Sequence, residues 1–394
     1  MKKRYIAAIV FLASVILFTA SNVLIVPAFK QERNIRYYSL SDPELILKKG
    51  PEEAFDSQRT HTMSIAELNR NGYRYWAYYH GYDGKNIRND MGVAYSNDLV
   101  NWQKEGTTPI VPNLRWGTVV VVDGIVHMFG TRNYGGDSYI VRLSSADGKN
   151  FKEEETAVAA APGERHQNPF IFYDEKNATY RLYYYHFKDD KYYIEEKHDK
   201  DITQIAKAQE NKVLSDTKFI LAAPSMMYRD GRYWLAAETL HEVKGKKVWK
   251  TIMFASKHPY KGFVPVDNHE ILVDSDACYF QHIFDNQLVG VYSHEYSDGT
   301  WEIFKRTHDF QSKNKISLSE RNLALNKGNE KQLSAKETFS DGKSMDVTPT
   351  ATWASSDNTV VTVAKGKITA RRPGKAIITS SFGGCSTTAE VEVR

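Results

Sequence analysis

The chain of 394 residues has few cysteines and no excess of charge of either sign. Its two cysteines, Cys278 and Cys385, cannot form a disulfide-dense scaffold and are too few for a four-cysteine zinc site. Neither a glycine-rich phosphate loop nor a Ser-His-Asp elbow is visible. Because 52 basic residues nearly balance 48 acidic ones, for a net charge of +4, we expect no binding to nucleic acid through bulk charge.

What the chain does contain is aromatic side chains, which make up 12% of it and include 24 tyrosines. The hydrophobic share of 41% and the charged share of 25% are those of an ordinary globular protein. They exclude a wholly disordered or collagen-like chain. At this length two or three folding units are expected.

The N-terminal segment predicts export or membrane anchoring. Three basic residues at 2–4 precede an almost wholly apolar run that reaches about residue 26. A helix of this length, at about 1.5 Å per residue, crosses a hydrocarbon core of ~30 Å. Since no small-x-small cleavage site ends the run, we favour an anchor over a cleaved signal peptide within residues 1–29, and both remain open. Either alternative predicts an extracytoplasmic protein, membrane-anchored or secreted.

A turn followed by an aromatic strand recurs five times in the middle of the chain. The turns are centred on Gly72, Gly124, Ala178, Gly231 and Asn286, in steps of 52, 54, 53 and 55 residues. Strand-like segments flank each turn, and no long helical period interrupts them. One four-stranded antiparallel sheet per repeat predicts a five-bladed β-propeller over residues 56–312, after a linker at 30–55.

The last part of the chain, residues 315–394, has shorter segments and few aromatic residues. Trp-x-Ser-Ser-Asp at 353–357, Val-x-Val at 361–363, Gly-x-Ile-x-Ala at 366–370 and Pro-Gly-x-Ala-x-Ile at 373–378 follow one another. These motifs closely resemble the bacterial Ig-like domain of group 2. The resemblance implies a small β-sandwich that serves as a surface spacer or adhesion module at the cell envelope. The predicted fold class is therefore all-β, with a propeller and an Ig-like sandwich after an N-terminal hydrophobic helix.

One face of the predicted propeller collects polar side chains. This face carries the loops that enter the first strand of each blade and the loops that join its second and third strands. Six of the twelve histidines map to it, which are His61, His80, His166, His186, His241 and His294. Arginines and a tryptophan join them, namely Arg59, Arg115, Arg132, Arg165 and Trp116. We predict that these eleven residues bind substrate.

The chemistry of this set favours an anionic glycan. Arginine forks bind carboxylate or sulfate through two hydrogen bonds, as in a uronic-acid-containing polysaccharide. Sugar faces would stack on Tyr79, Tyr82, Trp116 and Tyr134. A divalent metal in the channel, held by two or three histidines, is an open alternative. Because the spacing contains no local metal motif, no cofactor is predicted.

Three segments carry a second resemblance. Ser-Asn-Asp-Leu-Val-Asn-Trp at 96–102, Asn-Pro-Phe-Ile-Phe-Tyr at 168–173 and the stretch 223–235 resemble the five-bladed glycosidases of glycoside hydrolase families 43 and 32. The resemblance spans about residues 56–310. It implies inner-strand carboxylates: an aspartate that activates water or attacks the sugar, a glutamate that protonates the leaving oxygen, and an aspartate that tunes that acid.

This chain departs from that pattern, because its predicted blade-one strand at residues 60–65 contains no aspartate. Asp56 is the nearest carboxylate to this strand. Glu164 is the best-placed general acid, with Glu238 as the alternative, and Asp276 is the base or the tuning residue. The leading hypothesis is a glycoside hydrolase that acts on a polysaccharide or oligosaccharide. The alternatives are a non-catalytic glycan-binding or polysaccharide-assembly protein and a propeller that docks proteins.

Overall fold

The computed structural model describes residues 35–85, 89–133, 136–216, 220–243, 246–273, 275–310, 315–338, 344–382 and 385–394. The predicted N-terminal helix at 1–29 and the predicted stacking residue Tyr134 lie outside these ranges. Within them, no helix has the length and apolar character needed to cross a membrane.

Residues 59–309 form five antiparallel blades of consecutive strands, preceded by β1 (Glu44–Leu47). Blade one contains β2 (Arg59–Arg70), β3 (Tyr73–Tyr82), β4 (Asp90–Ser96) and β5 (Gln103–Lys104). Blade two contains β6 (Arg115–Val122), β7 (Ile125–Arg132), β8 (Tyr139–Ser145) and β9 (Lys152–Val158). Blade three contains β10 (Arg165–Asp174), β11 (Thr179–Lys188), β12 (Lys191–Asp199), a short 3₁₀ helix (Ile202–Lys207) and β13 (Glu210–Asp216). Blade four contains β14 (Leu221–Arg229), β15 (Arg232–Val243), β16 (Lys246–Ser256) and β17 (Val264–Leu272). Blade five contains β18 (Asp276–Phe284), β19 (Gln287–Glu295) and β20 (Trp301–Asp309).

The five blades close into a ring. Each first strand, β2, β6, β10, β14 or β18, contacts the first strands of both neighbouring blades. Strand β1 pairs antiparallel with β20 and so supplies the fourth strand of blade five from the N-terminal side of blade one. Ile46 and Leu47 of β1 are buried in the core. The first and the last strand of the propeller along the chain, β1 and β20, therefore pair within one blade.

Tyrosines of the second strands fill the space between blades. Tyr78, Tyr79, Tyr183, Tyr184 and Tyr233 are almost completely buried. Several of their hydroxyl groups have partners: Tyr78 donates to the Gly148 carbonyl at 3.0 Å and Tyr183 to the Pro259 carbonyl at 2.8 Å. A buried tyrosine needs such a partner, because an unpaired hydroxyl in an apolar interior is destabilising. Much of the aromatic content of the chain is therefore propeller core.

Each first strand carries one extra residue near its beginning. The register against the second strand shifts at the same place in all five blades. The residue at each shift has a positive φ, and the five are Thr62 (48°), Trp116 (52°), Asn168 (50°), Ala223 (42°) and Cys278 (55°). These are β-bulges, which bend a strand and redirect its side chains. Left-handed backbone in non-glycine residues is uncommon and recurs at functional sites. We call this end of the propeller the bulged end.

The C-terminal residues fold as a sandwich with a core of its own. It consists of three small sheets. The first contains β21 (Lys315–Leu318), β24 (Ala335–Thr338) and β25 (Ser344–Asp346), and the second contains β22 (Asn322–Leu325), β30 (Cys385–Val393), β29 (Gly374–Phe382) and β26 (Thr352–Ser355). The third contains β23 (Glu330–Gln332), β28 (Lys367–Ala370) and β27 (Val361–Ala364). Trp353 packs on this core, and its Nε1 donates a hydrogen bond to the Thr348 carbonyl at 3.0 Å. The predicted all-β propeller followed by an Ig-like sandwich is confirmed.

Candidate active site at the bulged end

Blades four, five and one meet at a buried glutamate. Glu238 lies on β15 opposite Ala222, and its Oε1 accepts a hydrogen bond from the backbone N–H of Cys278 in blade five. The Cys278 Sγ lies 3.8 Å from Nε2 of His61 in blade one. The backbone N–H of Thr62 donates to Oγ of Ser293 at 3.1 Å. We call Glu238, Cys278, His61, Thr62 and Ser293 the Glu238 cluster, to which three blades contribute.

The environment of Glu238 favours the protonated form of its carboxyl group. Its side chain is only 4% exposed, and burial raises its pKa from 4.5 to about 7, although hydrogen bonds from Cys278 partly offset the shift. Near neutral pH a large share of Glu238 is therefore protonated. A carboxyl group in this state can donate a proton to a leaving oxygen.

Cys278 is not among the site residues predicted from the sequence, although it lies only two residues after Asp276. Burial raises the pKa of its thiol well above the usual value, and the neighbouring Glu238 raises it further. The thiol therefore stays protonated and is not a thiolate nucleophile. Its backbone N–H, directed at Glu238 by the bulge, is the part that contributes to the site.

The two histidines of blade one are held neutral. His61 Nδ1 lies 2.9 Å from Thr62 Oγ1, and burial followed by the charges of Arg59 and Arg115 lowers the pKa of His61 to about 3. Burial likewise lowers the pKa of His80 well below its usual value, and its Nε2 donates to Oδ1 of Asn89 at 2.6 Å. The two rings lie 5.5 Å apart, edge to face. The positive charge in this region thus resides on arginine.

Two of the four predicted arginines lie beside the Glu238 cluster. Arg59 packs against Tyr82 and Trp301, with its guanidinium carbon 5.5 and 5.6 Å from the ring centres. Arg115 lies 5.9 Å from the ring of Trp116. The Trp116 ring in turn lies 6.0 Å from that of His80. Arginines and aromatic rings therefore occur together here.

The other two arginines make contacts elsewhere. Arg132 binds Glu153 at 2.9 Å and donates to two main-chain carbonyls between blades one and two. Arg165 lies over the ring of Phe187 at 4.1 Å. These partners lie outside the Glu238 cluster. Arg165 begins the first strand of its blade, as Arg59 and Arg115 do, whereas Arg132 ends the second strand of blade two. The side chains of Arg132 and Arg165 are both engaged by local partners.

The predicted general acid Glu164 lies in a separate group in blade three. Its Oε1 pairs with Lys188 at 2.6 Å, and this hydrogen bond lowers the pKa of Glu164. The ionised form is thereby favoured, which is opposite to what a proton donor needs. His166 and His186 lie beside it with ring centres 4.1 Å apart, and burial lowers the pKa of His166 to about 4.

The remaining predicted residues are distributed over three places. Asp276 begins β18, next to the cluster, with its Oδ1 2.7 Å from Nδ1 of His294. Asp56 is fully buried between Tyr79 and Lys104, and Lys104 belongs to the outermost strand of blade one. His241 lies 2.5 Å from Thr239 Oγ1, on the face of β15 opposite Glu238 because side chains alternate along a strand. The histidines therefore form several groups instead of one ring.

Comparison with known proteins assigns the C-terminal domain. Residues 314–393 match the family of bacterial Ig-like domains, group 2. Ice-binding protein 1 of Shewanella frigidimarina is 40% identical to this chain over 79 residues, which are 20% of this chain and 9% of that protein. The chain thus spans less than a tenth of the length of this curated relative.

Solved structures identify the architecture of the larger domain. A thermostable family-43 glycoside hydrolase superposes with a TM-score of 0.51 and 13% identity, covering 73% of this chain and 92% of its own. The propeller has the family-43 fold. A GH43_1 enzyme from Xanthomonas citri (TM-score 0.49, 13% identity, 66% and 89% covered) and an endo-arabinanase from Bacillus licheniformis (0.48, 15%, 62% and 92%) are also similar. At such identities the likeness concerns the fold, and activity has to be argued from the site.

The raised pKa of Glu238 predicts a pH-dependent stability. The folded state keeps the proton to about pH 7, whereas the unfolded chain releases it near 4.5. Wild-type stability therefore falls as pH rises between these values. Glu238→Gln has no proton to lose, so we expect its unfolding free energy to gain about 2–3 kcal/mol relative to wild type between pH 5 and pH 8. Urea unfolding at both pH values measures this, with the exposed Glu242→Gln as control. Parallel pH profiles for wild type and Glu238→Gln would contradict the assignment.

Proposed function

We propose that this chain is a glycoside hydrolase whose proton donor is Glu238. The observation that carries the proposal is a buried carboxyl group with a pKa of about 7 at the bulged end of a propeller with the family-43 fold. Glycosidases need one protonated and one ionised carboxyl group on opposite sides of the scissile bond. Burial raises the pKa of Glu238, whereas pairing with Lys188 lowers the pKa of Glu164, the other general acid predicted from the sequence.

Asp276 is the partner that the geometry supports. Glu238 binds the backbone N–H of Cys278, and Asp276 lies two residues before Cys278 on β18. His294 fixes the orientation of Asp276 through the 2.7 Å contact. Glu238 and Asp276 would thus act from neighbouring blades.

The proposed reaction starts with proton transfer from Glu238 to the glycosidic oxygen as the C–O bond breaks. Asp276 either takes a proton from the attacking water or attacks the anomeric carbon itself, and the separation of the two carboxyl groups decides which. The Cys278 N–H stabilises the carboxylate that Glu238 becomes. In the retaining case Glu238 then takes the proton back from water, which restores its starting state.

An acidic polysaccharide or oligosaccharide is the proposed substrate. Arg59 and Arg115 lie close enough to His61 to lower its pKa, and each is packed on an aromatic ring. A guanidinium group presented in this way binds a sugar carboxylate or sulfate, while the neighbouring ring contacts a sugar face. The nearly neutral chain would thus present a local positive charge at the bulged end.

A glycan-binding protein without catalysis is the second candidate. The residues at the five bulges are Thr62, Trp116, Asn168, Ala223 and Cys278, none of which is a carboxylate. The glycosidases that the sequence resembles place their catalytic carboxylates on the inner strands, and Glu238 lies on a second strand instead. The same arginines and aromatic rings would then hold a glycan, or assemble it, without cleaving it.

We also propose that the protein works outside the cytoplasmic membrane and associates with the cell envelope. Support comes from the basic and then apolar pattern of residues 1–29 and from the group-2 Ig-like domain at 314–393. A polysaccharide of the envelope or of the surroundings would be accessible to a protein in this location.

The first prediction from the proposed function concerns cleavage. We expect wild-type chain to release reducing ends from an acidic polysaccharide, and Glu238→Gln to reduce the rate by about 10²–10⁴-fold through loss of the proton donor. Asp276→Asn should cause a comparable loss. Glu242→Gln, at the exposed end of the same strand, serves as the matched control and should retain full activity. Binding without release by wild type would favour the glycan-binding alternative.

The second prediction concerns charge recognition. Arg115→Ala should weaken binding of an acidic oligosaccharide by roughly 10–100-fold, because a hydrogen bond to a charged group is lost. Arg132→Ala removes an arginine that is paired with Glu153 and is the matched control. Calorimetric titration with acidic and neutral oligosaccharides measures the effect. Equal affinities for both sugars, unchanged in Arg115→Ala, would contradict an acidic substrate.

The third prediction concerns location. Expressed in bacteria, the full chain should be degraded by protease added to spheroplasts, because residues 1–29 direct it across the membrane. A variant that lacks residues 1–29 should stay protected until the cells are lysed. Protection of the full chain in intact spheroplasts would contradict the proposed location.

A further inference from the structure

Three donor groups converge in blade three, away from the Glu238 cluster. His166 on β10 and His186 on β11 are directly opposite each other across an antiparallel pair, and Glu164 lies two residues before His166, on the same side. One ligand atom from each of the three residues lies within 4.8 Å of the other two. The histidines are buried, at 2% and 8% exposure.

The polar atoms of this group are incompletely paired. Both ring nitrogens of His166, and Nε2 of His186, are buried without a hydrogen-bond partner among the described residues. An unpaired buried polar atom costs about 1–3 kcal/mol, so such atoms are uncommon in folded proteins. Three of them in one place indicate that a ligand which accepts lone pairs from nitrogen binds here.

A second carboxylate orients one of the rings. Glu195 on β12 lies with Oε2 2.8 Å from Nδ1 of His186, so Nδ1 carries the proton and Nε2 offers its lone pair. A histidine held in this way by a carboxylate is the usual arrangement around a protein-bound metal. Glu164 pairs with Lys188 and accepts the Ala161 N–H, but each of its oxygens keeps a second lone pair.

We propose that Glu164, His166 and His186 bind a zinc ion. Two imidazoles and one carboxylate suit Zn²⁺, whereas Ca²⁺ requires a shell of oxygen atoms. Ligand atoms around tetrahedral zinc lie about 3.3–3.6 Å apart, so the three groups need to close by at most about 1.5 Å. Three protein ligands leave a fourth position for water or for an oxygen of a bound molecule. This site is independent of the proposed hydrolase activity.

Titration of the untagged, EDTA-treated full chain with Zn²⁺ alone tests the proposal. We expect one zinc per chain by calorimetry, and at least 100-fold weaker binding in His166→Gln and His186→Gln. The matched control is His127→Gln, which changes a buried histidine of blade two. Added Ca²⁺ should not compete. Absence of zinc binding by the wild-type chain, or equal binding by wild type and both variants, would overturn the proposal.

A second set of variants covers the case in which loss of a buried histidine unfolds the chain. Glu195→Gln leaves all three ligands in place, and the loss of its orienting charge should weaken zinc binding by about 10–100-fold. Glu164→Gln removes only the ligand nearest the surface. The visible absorption of Co²⁺ bound in place of zinc reports the coordination shell directly, and it should change in Glu164→Gln but not in His127→Gln. Identical Co²⁺ spectra for wild type and Glu164→Gln would exclude Glu164 as a ligand.

Discussion

The extra residue in the first strand of every blade is the constraint on which the bulged end depends. A regular strand alternates its side chains between the two neighbouring blades, whereas a left-handed residue breaks this alternation and redirects the main chain. In blade five the break turns the backbone N–H of Cys278 toward Glu238 of blade four. In blade one it brings Thr62 N–H to Ser293 of blade five. Contacts between blades at this end therefore come from main-chain groups that the bulges release from pairing.

Burial at the bulged end shifts the pKa values of acids and bases in opposite directions. Removal from water disfavours every charged form, so it raises the pKa of Glu238 and lowers the pKa of His61 and His80. Near pH 7 both histidines are therefore neutral, and Glu238 is about half protonated. The arginines keep their charge because guanidinium remains protonated even when packed on aromatic rings. The proposed cleavage of an anionic glycan rests on this combination of a carboxyl group with a raised pKa and arginine charges beside His61.

Separate blades give similar residues different roles. His166 and His186 have the same place in the repeat as other predicted site residues, yet they face the carboxylate Glu195 and the rim residue Glu164. The position of a side chain relative to the bulge, and the blade it faces, decide whether it joins the Glu238 cluster or the proposed zinc site. A propeller thus offers several distinct sites on one end of one ring.

The periodic turns at Gly72, Gly124, Ala178, Gly231 and Asn286 are sufficient to predict the five blades, because each blade is a local unit of consecutive strands. The motifs of the sandwich are equally local. The site is only partly predictable: its arginines and histidines follow from the repeat, but Cys278, Ser293 and the separate burial of Asp56 with Lys104 do not. The sequence determined the order of strands and the residue types at their ends. The tertiary structure decided which ends face one another, because a shift of one residue at a bulge moves a side chain to the other face of its blade and changes its solvation and its pKa.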